Sequence, residues 1–284
     1  MHKNNNIKLS DVHQREASFF DEVAEKFLAL SGSENDKESS LIVNAEKAIE
    51  EYSDYYQYAY KFLGDVKGKN ILDMGCGSGK SSVILAKKGA FVNAFDVSPK
   101  YVEVTRLRAR INKVEDKITC TQMTAETMKY DSNSFDNVFG VGVLHHIDIM
   151  RGGREIFRVL KDDGVAVFIE PIAFSPFLRK IRNISFIKAL IPNKGKEVLI
   201  TEDERQINEN DLECLRKIFK IVEYKPFQLF SRLDRVIGGY PVTRGKRLIS
   251  LINHFDSVLL ENFAFLSGFG RWGVIHLRKQ SGNK

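Results

Sequence analysis

The chain has 284 residues, of which 43% are hydrophobic and 28% are charged, with a formal net charge of +6. This composition is typical of a globular enzyme and excludes a mostly disordered chain. No apolar run approaches the roughly 20 residues that span a bilayer, and the polar start predicts no signal peptide. The three cysteines are scattered, which predicts neither a disulfide framework nor a metal site and favours a cytoplasmic location.

Residues 1–66 are predicted to form a helical N-terminal cap. Apolar residues recur every four positions from Phe19 to Phe27, which is the period of an amphipathic helix. A polar stretch covers residues 31–40. A second helix then carries tyrosines on one face and ends at Gly64.

From residue 67 onwards, predicted strands and helices alternate. Strands are predicted over residues 70–74, 90–95, 118–123, 135–144 and 164–169, with helices over 80–88, 99–111 and 150–160. This alternation predicts an α/β fold with a Rossmann-like, doubly wound, mostly parallel sheet. After an interruption that begins at residue 171, the pattern predicts a helix near 209–219, a strand near 221–227, more helix to about 262 and a last strand near 272–278.

The most informative motif covers residues 70–80, where a buried strand leads through a glycine-rich turn into a helix. Glycines at alternating positions let backbone amides approach a ligand closely and adopt positive φ. Asp73 places a carboxylate at the end of the strand, where open α/β sheets bind ligands. Lys80 stands where a dinucleotide fingerprint has its third glycine, and Met74 stands where a P-loop has its first. An ordinary NAD turn and a P-loop are therefore both disfavoured.

Asp96 follows the second predicted strand, 21 positions after Gly75. A carboxylate at this place can accept hydrogen bonds from both hydroxyls of a ribose. The alternative is a helix N-cap before Pro99, a role for which Ser98 is better placed.

Together these segments resemble the class I S-adenosylmethionine-dependent methyltransferases over roughly residues 60–171. The matching pieces, in order, are residues 71–79, 95–99, 124–126, 134–138, 142–147 and 154–167. They resemble in particular the branch that acts on small molecules, which includes ubiquinone and menaquinone methyltransferases. The resemblance implies S-adenosyl-L-methionine as the methyl donor and S-adenosyl-L-homocysteine as the product, with no metal required.

The resemblance also assigns a set of cofactor contacts. Those at the methionine end would be Asp73, Gly75, Cys76 and Gly77. Asp96 would hold the ribose, and the set is completed by Val97, Thr124, Ala125 and Val141. Many relatives carry Asp where this chain has Thr124, so Glu126 is a candidate to take over a bond to the adenine amine. The alternative for Glu126 is an exposed carboxylate at a helix start.

The candidate catalytic residues are His145, His146 and Glu170. Methyl transfer from a sulfonium requires the protein to position the nucleophile, exclude water and remove a proton where the acceptor carries one. A histidine can act as that base near neutral pH. The two histidines are predicted to close the fourth strand, and Glu170 the fifth. Each has a structural alternative, an imidazole that binds backbone or, for Glu170, a solvated carboxylate.

The cap and an insertion over residues 171–205 are expected to cover the site, because additions of this kind recognise the acceptor in this superfamily. Phe19, Phe20, Tyr56 and Tyr60 are the candidate acceptor contacts, with ordinary packing of the cap as the alternative. Residues 174–191 combine apolar positions at helical spacing with basic residues. This pattern predicts either a lid over an apolar acceptor or a contact with a membrane surface.

The leading hypothesis is an enzyme that methylates O, N or C of a small molecule, apolar or lipid-like. The alternatives are a nucleotide-dependent oxidoreductase, which Lys80 disfavours, and a non-catalytic protein that binds S-adenosylmethionine. Nucleic acid is not an expected partner, because the chain lacks an Asn-Pro-Pro-Tyr motif after the fourth strand and a concentrated basic face. The sequence leaves the acceptor and the oligomeric state open.

Overall fold

A computed structural model describes residues 10–29, 39–51, 54–172, 205–230 and 246–280. The helices are α1 (Asp11–Ala29), α2 (Ala45–Glu51), α3 (Asp54–Leu63), α4 (Lys80–Lys87), α5 (Pro99–Ile111), α6 (Ile149–Val159), α7 (Glu209–Arg216) and α8 (Lys246–Asn262). The strands are β1 (Asn70–Met74), β2 (Phe91–Asp96), β3 (Ile118–Gln122), β4 (Phe135–Val141), β5 (Leu160–Pro171), β6 (Ile221–Phe227) and β7 (Trp272–Arg278). Leu144–His146 and Ala264–Phe269 form 3₁₀ turns.

The seven strands form one sheet in the order β3-β2-β1-β4-β5-β7-β6. Strands β1 to β5 pair in parallel, and β7 runs antiparallel to both β5 and β6. This sheet confirms the predicted α/β fold with a doubly wound, mostly parallel sheet. The strand order reverses between β1 and β4, so the crevice at their carboxyl ends is the expected place for a ligand.

Two apolar cores cover the two faces of the sheet. Ile71 and Phe139 pack in a core with α3 and α4, whereas their neighbours Leu72 and Val138 pack in a core with α6 and α7. Successive strand residues point to opposite faces, which is why the central strands have near-continuous apolar sequences. Both faces are thereby closed, and the functional groups are left at the strand ends.

The end of β4 differs from the sequence prediction. The strand stops at Val141 rather than near residue 144, because Gly142 adopts a left-handed backbone with φ +65° and a 3₁₀ turn follows. The prediction that His145 and His146 close the strand is therefore wrong, and both lie in the turn beyond it. Strand β5, in contrast, is longer than predicted and pairs with β7 up to Pro171.

Helices predicted within residues 1–66 are present in the described part of that region as α1, α2 and α3. Helix α1 packs against α5 in a small separate core of Ala24, Leu41 and Val104. Nearly all of the predicted insertion, including the basic segment 174–191, lies outside the described residues. Within the described chain, every helix is too short or too polar to cross a bilayer.

Candidate functional site

The glycine-rich turn between β1 and α4 combines close packing with open space. Gly75, Gly77 and Gly79 have φ values of +64°, +50° and +75°. A Cβ atom on Gly75 would lie 2.8 Å from Val143 Cγ2, and one on Gly79 would lie 2.6 Å from Thr105 Oγ1. A Cβ on Gly77 would meet nothing within 4 Å. The outer glycines therefore allow the turn to pack, while Gly77 borders space that a ligand can fill.

Short contacts hold the turn against its neighbours. The Cys76 amide donates to Phe95 O at 2.9 Å, and the Thr105 hydroxyl donates to Gly77 O at 2.9 Å. The Cys76 side chain is buried, with its sulfur 3.7 Å from the sulfur of Cys120. The contact with Cys120 and burial raise the pKa of the Cys76 thiol well above its ordinary value. Only the backbone of Cys76 is thus available for the predicted cofactor contact.

Asp96 ties the turn to the end of β2. Its carboxylate accepts from the Gly77 amide at 2.9 Å and from the Ser98 amide at 3.0 Å. Ser98 is the N-cap of α5, since its hydroxyl accepts from the Tyr101 amide at 3.0 Å, as the sequence predicted. Burial raises the pKa of Asp96 to about 6. The carboxylate is therefore beside the open position at Gly77, where a ribose would approach.

Asp73 is a second buried carboxylate at the same edge, with 2% of its surface exposed. The Ser82 hydroxyl donates to it, and burial raises the pKa of Asp73 to about 7. Among the described residues, the hydrogen-bond donors to Asp73 and Asp96 are the Ser82 hydroxyl and the amides of Gly77 and Ser98, and no basic side chain pairs with either carboxylate. Two buried carboxylates without a basic partner create a site that favours a cation.

The residues predicted for the adenine side follow β2 and β3. Thr124 is buried, its hydroxyl 2.9 Å from the hydroxyl of Thr127, and the Ala125 side chain lies in the core. Val97 is partly exposed, and its carbonyl accepts from the side-chain amide of Gln122 at 3.0 Å. These positions therefore lie just beyond the carboxyl ends of β2 and β3.

Glu126 lies in a turn, so the alternative of an exposed carboxylate at a helix start is wrong. One of its oxygens accepts from the Asp148 amide at 3.1 Å. The other lies 3.1 Å from His13 Nε2 of α1. The carboxylate therefore joins the end of β3 to the start of α6 and to the cap.

Glu170 is fully buried, so the alternative of a solvated carboxylate is wrong. The reason is that β5 extends to Pro171, which leaves Glu170 inside the sheet between β4 and β7. One oxygen accepts from the amides of Val143 and Leu144, at 2.9 and 2.8 Å. The other lies 2.7 Å from His145 Nδ1. Glu170 therefore positions both the 3₁₀ turn that follows β4 and the imidazole of His145.

His146 lies between the turn and α1. Its ring centre is 4.0 Å from that of His145, and the edge of Phe20 packs on it at 5.4 Å. His146 Nδ1 lies 3.2 Å from Glu16 Oε1, although the two groups are not aligned as a hydrogen bond. The sequence analysis missed Glu16. Its position four residues before Phe20, on the same face of the helix, was the available signal.

The four residues predicted to contact the acceptor lie in two different places in the structure. Phe20 reaches the histidine pair, and Phe19 stacks edge-on against Phe20 at 5.3 Å. Tyr60 is buried and stacks on Phe139 at 5.2 Å, within the core under α3. Tyr56 is partly buried against the same core. For Tyr56 and Tyr60 the geometry supports the alternative of cap packing.

A comparison with protein families matches residues 72–168 to a family described as a methyltransferase domain. The matched span contains the glycine turn, Asp96, Glu126 and the histidine pair.

The chain therefore contains a methyltransferase domain over residues 72–168.

Curated proteins similar to the chain include two methyltransferases. The methyltransferase GfsG of Streptomyces halstedii is 29% identical over 162 residues, which are 51% of this chain and 58% of that protein. The demethylmenaquinone methyltransferase of Clavibacter sepedonicus is 33% identical over 141 residues, 48% of this chain and 55% of that protein. The chain thus spans little more than half the length of each of these relatives.

Among solved structures, the geranyl diphosphate C-methyltransferase of Streptomyces coelicolor A3(2) superposes with a TM-score of 0.59. The match covers 96% of this chain and 100% of that chain at 13% sequence identity, so it supports the fold alone. The methyltransferase domain matched by sequence ends before Glu170, and Glu16 precedes it. The carboxylates that contact the histidine pair therefore come from outside the matched span.

Proposed function

We propose that the protein transfers the methyl group of S-adenosylmethionine to O, N or C of a small molecule and releases S-adenosylhomocysteine. The observation that carries this proposal is the open position at Gly77 beside the Asp96 carboxylate, at the reversal point of the sheet. The methyltransferase domain over residues 72–168 supports the assignment of the cofactor.

The residues at this edge fit the chemical groups of that cofactor. Asp96 would accept hydrogen bonds from the ribose hydroxyls, and Asp73 would offset the charge of the cationic methionine end. The Gly77 amide borders the open space, and Val97 and Thr124 would contact the adenine. When bound, the cofactor supplies an electrophilic methyl group. The protein contributes binding, orientation and exclusion of water.

The proton chemistry is assigned to the imidazole pair. Glu170 fixes His145 through Nδ1, and His146 stacks beside it toward the cap. Where the acceptor atom carries a proton, this pair is placed to receive it. Phe20 presents an apolar ring next to His146, which favours an apolar or lipid-like acceptor.

The organisation of the whole chain belongs to the same proposal. Residues 1–66 act as a helical cap, residues 67–284 as the catalytic domain and residues 171–205 as an insertion over the acceptor. The protein acts in the cytoplasm on a small-molecule acceptor rather than on nucleic acid. Co-sedimentation with anionic lipid vesicles tests whether residues 174–191 contact a membrane surface.

Calorimetry with S-adenosylhomocysteine tests the cofactor assignment. The wild type is expected to bind, and Asp96→Ala to weaken binding by about a hundredfold, because two hydrogen bonds to a charged group are lost. Glu103→Ala is the matched control, since Glu103 is an exposed carboxylate of α5. Absence of binding to the wild type would contradict the proposal. Turnover across quinol, phenol, amine and prenyl acceptors then separates an enzyme from a protein that only binds the cofactor.

A further inference from the structure

Glu16 is a buried carboxylate on a helix outside the matched methyltransferase domain. Only 5% of its surface is exposed, and it lies on the inner face of α1 with Ala17 and Phe20. Burial of a carboxylate is unfavourable unless a partner compensates it. Within the described chain, the one group of opposite charge in ion-pair range is His146, whose Nδ1 is 3.2 Å away.

The contact extends a row of four titratable groups across the site. Glu16 faces His146, His146 stacks on His145 at 4.0 Å, and His145 Nδ1 lies 2.7 Å from Glu170. A carboxylate thus stands at each end and two imidazoles stand between them.

Further contacts fix the position of α1 independently of Glu16. His13 lies 3.1 Å from Glu126, and the Asp21 carboxylate accepts from the Lys100 amide at 3.1 Å. These contacts attach the helix to the ends of β3 and β2. These contacts therefore place Glu16 next to the turn that follows β4, independently of its own contact with His146.

We propose that Glu16 is a positioning residue that the cap supplies to the acid–base group. Its carboxylate holds Nδ1 of His146 toward α1, so that Nε2 is the nitrogen presented to the acceptor. The two groups are not aligned as a hydrogen bond in this structure, and catalytic hydrogen bonds commonly tighten when a ligand binds. This inference rests on the proposed methyl transfer.

Transfer of the methyl group to the acceptor atom X is accompanied by loss of the proton that X carries. The acceptor X–H bond breaks, its proton moves to His146 Nε2, and X forms a bond to the methyl carbon. The electron pair of the broken carbon–sulfur bond stays on sulfur. Glu16 stabilises the imidazolium until water removes the proton after product release. His13, three residues before Glu16 on α1, lies 3.1 Å from Glu126.

The test compares Glu16→Gln, Glu16→Asp and the control Glu22→Gln, which changes an exposed carboxylate of the same helix. Glu16→Gln is expected to lower kcat by about tenfold or more while KM stays unchanged. Glu16→Asp is expected to restore part of the loss, and Glu22→Gln to match the wild type. Equal kcat values in wild type and Glu16→Gln would overturn the proposal.

A second measurement does not depend on turnover. Histidine-selective ¹⁵N spectra of the wild type and of Glu16→Gln, assigned with His146→Gln, report which ring nitrogen of His146 carries the proton. The proposal expects a proton on Nδ1 in the wild type and a changed tautomer balance in Glu16→Gln. An unprotonated Nδ1 in the wild type, with and without S-adenosylhomocysteine, would refute it. Failure of the cofactor assignment shows separately, as absence of S-adenosylhomocysteine binding.

Discussion

The carboxylates at the two halves of the sheet edge have different partners. On the β1–β2 side, the donors to Asp73 and Asp96 among the described residues are backbone amides and a serine hydroxyl. On the β4–β5 side, Glu170 and Glu16 face imidazoles. Among the described residues, the β1–β2 side has no positive side chain paired with its carboxylates, so a cationic ligand can supply that charge. The β4–β5 side already contains proton acceptors, the imidazoles of His145 and His146. Under the proposed function, this difference separates cofactor binding from acid–base chemistry.

The largest expected effect comes from Glu170→Ala on the β4–β5 side. The substitution leaves the buried amides of Val143 and Leu144 without their acceptor and releases His145. Loss of a buried, fully bonded carboxylate destabilises by about 3–5 kcal/mol. Thermal unfolding should show this loss. Below the new unfolding temperature, calorimetry should show S-adenosylhomocysteine affinity close to that of the wild type, and a parallel loss of affinity would break the comparison.

A smaller effect is expected from Gly77→Ala on the β1–β2 side. Its φ of +50° makes alanine unfavourable by about 1–2 kcal/mol, while the added methyl group meets no protein atom within 4 Å. Stability should fall slightly and S-adenosylhomocysteine binding much more. Gly79→Ala is the contrasting variant, because its methyl group would press on Thr105, so stability should fall first. If Gly77→Ala binds like the wild type, the open position is not the cofactor space.

The smallest expected effect is a pH dependence confined to the β1–β2 side. Burial raises the pKa of Asp96 to about 6 and that of Asp73 to about 7, so both carboxyls are protonated at pH 5 and ionised at pH 8. Affinity for S-adenosylhomocysteine should rise across this window by about tenfold, since ionised carboxylates are the stronger acceptors. Asp96→Asn should abolish the part of this increase in affinity that occurs near pH 6, because it removes the carboxyl group with the lower pKa.

The same titration acts on stability in the opposite direction. Between the unfolded pKa of about 4 and these raised values, the folded protein binds more protons than the unfolded chain. The ligand-free protein should therefore lose stability as the pH rises from 4 to 7, apart from the contributions of other groups. Chemical denaturation at several pH values, with Asp73→Asn as the comparison, measures this contribution.

The β1–β2 side could be predicted because its signals are local in sequence. A short strand, alternating glycines and an aspartate after the next strand specify one turn, and Ser98 caps the next helix as its position indicated. The same locality explains why the α/β alternation gave most strand boundaries within a few residues. Local propensity and tertiary structure agree in this half of the molecule.

The β4–β5 side could not be predicted in the same way because its contacts join distant residues. Gly142 ends strand β4, and the amides of Val143 and Leu144 that follow it donate to Glu170, more than 25 positions later. Glu16 reaches His146 across 130 positions. A polar residue on an otherwise apolar helix face is a weak signal until the docking of that helix is known.

The antiparallel strand β7 has a consequence for how the sheet is completed. Strand β6 has no neighbour in the described sheet except β7, and β7 pairs with β5 across more than a hundred residues of sequence. Strand β6 therefore cannot join the sheet during synthesis until the ribosome has released Trp272–Arg278. Such late, non-local pairing is slow. The last two strands should then exchange their amide hydrogens as one cooperative unit, distinct from β1 to β4.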